Sequence, residues 1–148
     1  MKPILTLKHE FVEYIPEVLH ERTVYVTMKF RTAVHLCCCG CGNKVVTPIG
    51  QTDWRLTFDG KTISLYPSIG NWDFPCRSHY WIVNNEVRWA EQWTKEEIKA
   101  ARYQDRITKD RYFRSSTTTS DRSIDSSKEV SRKKSFLRSV IDWLLGRE

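Results

Sequence analysis

Residues 53–67, DWRLTFDGKTISLYP (Asp53 to Pro67), decide the class of fold. Trp54, Leu56 and Phe58 alternate with polar residues on one side of Asp59-Gly60, and Ile63 and Leu65 alternate on the other. Alternation with a period of two buries one face of a strand. Asp and Gly both tolerate the positive φ of a primed turn, so the stretch predicts a β-hairpin.

The same pattern extends outward. In TVYVTMKF (Thr23 to Phe30), Val24, Val26, Met28 and Phe30 share one face, with Tyr25, Thr27 and Lys29 on the other. RTAVHLC and the short NKVVTPI read as further strands, the latter stopped at Pro48. HYWIVNNEVRW reads as a second hairpin turning at Asn84-Asn85. Five or more strands across residues 1–93 predict a mainly β fold, a small antiparallel sheet or barrel-like domain. At Thr94 a capping box (Thr94 with Glu97) opens a predicted helix over residues 94–114. A Ser/Thr-rich, charged stretch follows and predicts a disordered basic linker over 115–134. Residues 135–148 then place Phe136, Leu137, Val140, Ile141, Leu144 and Leu145 on one helical face. That amphipathic end suits a partner groove and folding back onto the parent domain about equally, and with Arg132, Lys133 and Lys134 it could also lie on an anionic membrane.

Composition limits the function classes. The 148 residues carry a net charge of +6, but residues 94–148 hold 14 Lys and Arg against 9 Asp and Glu. Residues 1–93 hold 10 against 9, so the β-rich part lacks the basic stripe that nucleic acid requires. No apolar run approaches the roughly 18 residues of a membrane span. Nothing near Met1 reads as an export signal, which points to a reducing cytoplasm where thiols stay free or bind metal.

Four of the five cysteines crowd into HLCCCGCG (His35 to Gly42). A tetrahedral zinc–thiolate site needs sulfurs only about 3.8 Å apart. Alternate residues of a straight strand are about 6.6 Å apart, so Cys37, Cys39 and Cys41 cannot share one ion unless the chain curls. Gly40 and Gly42 permit the curl. A second half-site lies in FPCRSHYW, where Cys76 and His79 have a spacing that closes on a metal. The candidate ligands are Cys37, Cys39, Cys41, Cys76 and His79, with His35 and Cys38 in reserve. Zinc is the expected metal, in a structural role, since a thiolate-rich site is a poor Lewis acid.

SLYPSIGNWDFPCRSHYW also carries the parts of a serine hydrolase: hydroxyls at Ser68 and Ser78, a base at His79, and Asp53 or Asp73 to orient it. Main-chain N–H groups near Gly70 could hold an oxyanion. If residues 76–81 are extended, Ser78 and His79 face opposite ways. His79 then pairs better with Ser68, or Ser78 with His35. If Cys76–His79 is a turn, Ser78 stays eligible.

Taken together, HLCCCGCG, TPIGQTDWRLTFDG and SLYPSIGNWDFPCRSHYWI resemble, over about residues 5–93, a family of small bacterial proteins encoded beside ubiquitin-like conjugation genes. The resemblance implies that Cys37, Cys39, Cys41, Cys76 and His79 matter and that Cys38 is incidental. It implies a serine-type peptidase that matures or deconjugates a ubiquitin-like modifier, with the modifier and its conjugation enzymes as partners. A modifier ending in small residues would suit a narrow channel, with Trp72 and Tyr80 as candidate walls. The alternative is a non-catalytic, zinc-stapled adaptor for the same partners.

Overall fold

In a computed structural model of the protein, residues 5–116 are described. The expected linker beyond Ser116 and the amphipathic segment 135–148 lie outside them. The chain divides into two compact units at Arg102/Tyr103.

The first unit is mainly β, as the alternation predicts, but it forms two sheets rather than one. Its strands are β1 (Leu5–Thr6), β2 (Lys8–Phe11), β3 (Thr23–Thr27), β4 (Thr32–Leu36), β5 (Lys44–Pro48), β6 (Arg55–Phe58), β7 (Ile63–Gly70), β8 (His79–Val83) and β9 (Glu86–Trp89). One sheet has the order β1-β9-β8-β7-β6 and the other β2-β3-β4-β5. Among the named strands every pairing is antiparallel except β2 with β3, which run parallel in the register Lys8↔Thr23 to Phe11↔Val26. Parallel neighbours need a long connection, which residues 12–22 supply and which no local pattern announces.

The core lies where the inner faces meet. Ile63, Leu65, Ile69, Tyr80, Ile82 and Val87 belong to one sheet and Val24, Val26, Ala33 and Val45 to the other, with Cys37 and Cys38 in the same cluster. Full burial of each aliphatic side chain stabilises by about 1.5–3 kcal/mol, so this cluster is the main stabilising element of the β unit.

Two local expectations change. The strand predicted to run to Phe30 ends at Thr27, because Arg31 takes φ 49° and donates its N–H to the Met28 carbonyl in a turn. Met28 and Phe30 are consequently exposed, and all five residues of β3 are buried on both faces. The Asp59-Gly60 turn is longer than a two-residue loop: Phe58 pairs with Ile63, and residues 59–62 form the loop. The Asp59 carboxylate accepts from the N–H groups of Lys61 and Thr62 at 2.8 and 2.6 Å, and from the Thr62 hydroxyl. The second hairpin does turn on two residues, Asn84 (φ 52°) and Asn85 (φ 64°), the positive pair that a primed turn demands.

Residues 95–116 are helical, and residues 95–102 of that helix belong to the first unit. Its capping box is closed both ways: the Glu97 N–H donates to Thr94 Oγ1, and the Thr94 N–H donates to Glu97 Oε2 at 2.7 Å. No helix among the described residues is long and apolar enough to cross a membrane.

Candidate active site and metal centre

Strand β8 organises both halves of the site, because consecutive residues on a strand face opposite ways. Tyr80 points into the core and is wholly buried, so it lines no channel; Trp72 is left as the candidate wall. Ser78, just before β8, faces the knuckle that contains Cys37. His79 faces out of the sheet with Trp81.

Ser68 reaches His79 through an irregularity in β7. Leu65 pairs with Ile82 and Ile69 with Tyr80, so four steps along β7 match two along β8. The extra residues bulge, as extra residues in a ladder must, and re-aim the side chains between them. Ser68 Oγ then lies 2.9 Å from His79 Nε2.

The other ring nitrogen is also engaged. His79 Nδ1 is 2.7 Å from the main-chain carbonyl oxygen of Glu91, just past β9. A carbonyl can only accept, so Nδ1 carries a proton, and in the neutral ring Nε2 presents a lone pair. Ser68 therefore donates its hydroxyl proton to Nε2. That is the tautomer a general base needs.

Three tryptophans enclose the ring, which is 2 % exposed. The Trp72 centroid is 4.8 Å from that of His79, Trp93 is 5.1 Å away edge-on, and Trp81 is 5.8 Å away. Trp72 and Trp93 stack on each other at 5.6 Å and 19°. Gly70 makes room: a Cβ there would lie 2.4 Å from the Trp72 indole.

The atom on His79 Nδ1 is the Glu91 carbonyl oxygen, not a carboxylate of either residue named as an orienter. Asp73 forms a two-pronged pair with Arg102 Nη2, at 2.9 Å from each oxygen, on the surface. Asp53 lies in the loop before β6, its Oδ2 next to Gly50. With both ring nitrogens engaged, no carboxylate is needed to fix the imidazole. The Glu91 carbonyl was invisible in the sequence because a main-chain atom carries no residue-type signal.

On the opposite face, Cys37, Cys39, Cys41 and Cys76 bring their sulfurs within 4.8 Å of one another. Individual separations are 3.4 Å for Cys37–Cys39, 3.9 Å for Cys37–Cys76 and 3.7 Å for Cys41–Cys76. These lie close to the edge of a tetrahedral metal–thiolate site, about 3.8 Å. Gly40 and Gly42 take φ 82° and 76°, and the Cys37 N–H donates to the Asn43 carbonyl at 2.8 Å, closing the curl. The four cysteines could hold a metal ion. The Asn43 main-chain N–H holds the Cys41 thiol down to about 6, which favours the thiolate a metal requires. His79 is not in this group.

The reserve residues are placed differently. Cys38 packs into the core, where burial pushes its thiol up to about 12. His35 Nε2 lies 2.8 Å from the Tyr80 hydroxyl, and burial alone lowers the ring to about 4. His35 therefore does not meet Ser78, whose hydroxyl is 3.0 Å from Cys37 Sγ and 2.9 Å from Asn71 Nδ2.

Searches of curated proteins and of solved structures each returned no match. A family comparison did: residues 11–90 match the family described as bacterial ubiquitination-like system serine protease (BubE). That span includes the Ser68–His79 pair, its bulge and all four clustered thiols, and, because it covers more than half of the sequence, the chain belongs to the BubE family.

Proposed function

We propose that the protein is a serine peptidase that cleaves the chain end or conjugates of a ubiquitin-like modifier, with Ser68 as nucleophile and His79 as general base. The observation that carries this reading is the 2.9 Å Ser68 Oγ–His79 Nε2 contact on a ring whose Nδ1–H is fixed by the Glu91 carbonyl. Ser68 Oγ attacks the scissile carbonyl while His79 Nε2 takes its proton. The imidazolium so formed then gives that proton to the departing amine. The Glu91 carbonyl holds the ring and stabilises the imidazolium as a dipole rather than a charge.

The register of β7 suggests where the oxyanion sits. The Asn71 N–H donates to the Ser78 carbonyl, which makes Gly70↔His79 a non-hydrogen-bonded pair and Ile69↔Tyr80 a bonded one. The Gly70 N–H therefore points to the other edge of β7, past the last β6 pair at Arg55↔Tyr66, and is our candidate for an oxyanion donor. The stacked Trp72 and Trp93 would wall the approach and favour a substrate strand with small side chains.

Zinc fits the four thiols best, since tetrahedral all-sulfur sites select zinc over hard cations. Bound by Cys37, Cys39, Cys41 and Cys76 it would be four-coordinate and closed, supplying a crosslink between the β4–β5 knuckle and the loop before β8. Its contribution to the reaction is then to hold β8, and with it His79, in place.

Ser68→Ala and Ser78→Ala separate the assignments. Incubated with a ubiquitin-like modifier fused to a reporter, the Ser68→Ala protein is expected to cleave nothing and to resist a fluorophosphonate probe. Labelling of Ser78 by that probe, or cleavage retained by Ser68→Ala, would remove Ser68 as the nucleophile, whereas an unaltered protein that binds the modifier and cleaves nothing would leave the adaptor role.

A further inference from the structure

Ser78 directly precedes the candidate base, yet its hydroxyl is on the other face of the strand and only 1 % exposed. One of its partners fixes a direction, and the others leave the Ser78 proton a thiol sulfur as acceptor wherever that sulfur carries no proton. Asn71 Nδ2 bears hydrogens and no available lone pair, so it can only donate. At 2.9 Å it donates to Ser78 Oγ. The single Ser78 proton is left to point elsewhere, and Cys37 Sγ lies 3.0 Å away, with Cys76 Sγ more distant at 3.6 Å. Asn71 Nδ2 has two longer contacts, the Tyr80 hydroxyl at 3.4 Å and Cys37 Sγ itself at 3.7 Å. The main chain locks the pair, since the Asn71 N–H also donates to the Ser78 carbonyl at 2.9 Å.

We propose that Ser78, oriented by Asn71, is a hydrogen-bond donor to the Cys37 thiolate that positions this sulfur on the metal, and that it ties the metal centre to the strand carrying His79. The reading rests on the four-thiol metal centre proposed above. A thiolate bound to metal has no proton and only lone pairs, so it accepts what Ser78 offers. A neutral Cys37 thiol would compete with Ser78 as a donor. Hydrogen bonds of this kind orient ligands and commonly alter metal affinity by about 10- to 100-fold when lost. They also explain why Ser78, despite its place beside His79, has no proton to give to the imidazole.

The test compares the full chain with its Ser78→Ala and Ser78→Thr variants. Zinc affinity is read by competition with a chromophoric chelator, and the thiolate-to-cobalt charge-transfer band is read after cobalt substitution. Ser78→Ala is expected to weaken zinc by about 10- to 100-fold and to shift the cobalt band, with Ser78→Thr restoring both. Zinc affinity within twofold of the parent and an unmoved band would overturn the proposal while leaving the metal centre intact. A parent chain that binds no zinc would overturn both. Should Ser78→Ala not fold, the unaltered protein loaded with cadmium-113 decides by NMR. A Ser78 hydroxyl proton coupled to cadmium across the hydrogen bond supports the proposal, and an uncoupled one overturns it.

Discussion

Gly70→Ala tests how tightly the tryptophan cover is set against the sheet. The added methyl would lie 2.4 Å from Cε2 and Nε1 of Trp72 and 2.7 Å from Cζ2. Carbon atoms in contact stay about 3.5–4.0 Å apart, so the indole must retreat by roughly 1 Å or more. It is a rigid ring, not the end of a flexible chain, and it is stacked on Trp93 and packed on His79. Overpacking of this sort costs about 1–3 kcal/mol. In a unit of this size each kcal/mol moves the melting temperature by about 4–8 °C, giving a fall of about 4–24 °C. A shift of about 1 Å near reacting groups can cost about a hundredfold in rate, so kcat should fall by up to that factor. Calorimetry and cleavage of a modifier fusion measure the two effects. The double variant Gly70→Ala/Trp72→Ala removes the collision, so its loss of stability should be less than the sum of the two single losses. A Gly70→Ala protein melting within about 2 °C of the parent, or strictly additive losses, would refute the reasoning.

Three more outcomes are expected. Ser68→Ala and His79→Ala should each lower the cleavage rate at least about a thousandfold, and the double variant should lose little more, because the pair acts as a unit; multiplying losses would show that the residues act separately. Extraction of the metal by a strong chelator should abolish cooperative melting of the β unit, since structural zinc supplies about 10–16 kcal/mol in small domains, more than their typical stability; an unchanged transition in metal-free protein would contradict this. The Asp59 carboxyl should titrate at about 2, held below its ordinary 3.8 chiefly by the Thr62 hydroxyl and by the Thr62 and Lys61 N–H groups. A depressed carboxyl binds fewer protons folded than unfolded, so its stabilisation is complete above pH 4 and is lost as pH falls toward 2. A carboxyl NMR titration with its midpoint near 3.8 would dismiss that capping role.

What could be read beforehand follows from the range of the interaction. The hairpin at Asn84-Asn85 is local, and the alternation around it states its register. The convergence of Cys37, Cys39 and Cys41 is local too, since Gly40 and Gly42 announce the curl, but the Cys76-x-x-His79 spacing points to two ligands and the structure groups only Cys76 with the other thiols, because strand β8 turns His79 to the opposite face. Strand alternation alone separates Ser78 from His79 once β8 is extended. Three features escaped for different reasons. The parallel β2–β3 pairing depends on a long connection with no period of its own. The bulge that delivers Ser68 is a register difference between two strands, visible only once they are paired. Asp53 and Asp73 attract attention as carboxylates, whereas the atom at His79 Nδ1 is a carbonyl oxygen that all residue types possess.

That carbonyl has a genetic consequence. Every amino acid that could replace Glu91 brings the same oxygen, so no codon change at this position deletes the atom holding the imidazole. Among the groups that would move the proton, a saturation scan for lost cleavage would count two side chains, Ser68 and His79, where the geometry contains three participants. The third would surface only through changes that reroute the backbone between Ala90 and Trp93, such as a one-residue insertion or deletion.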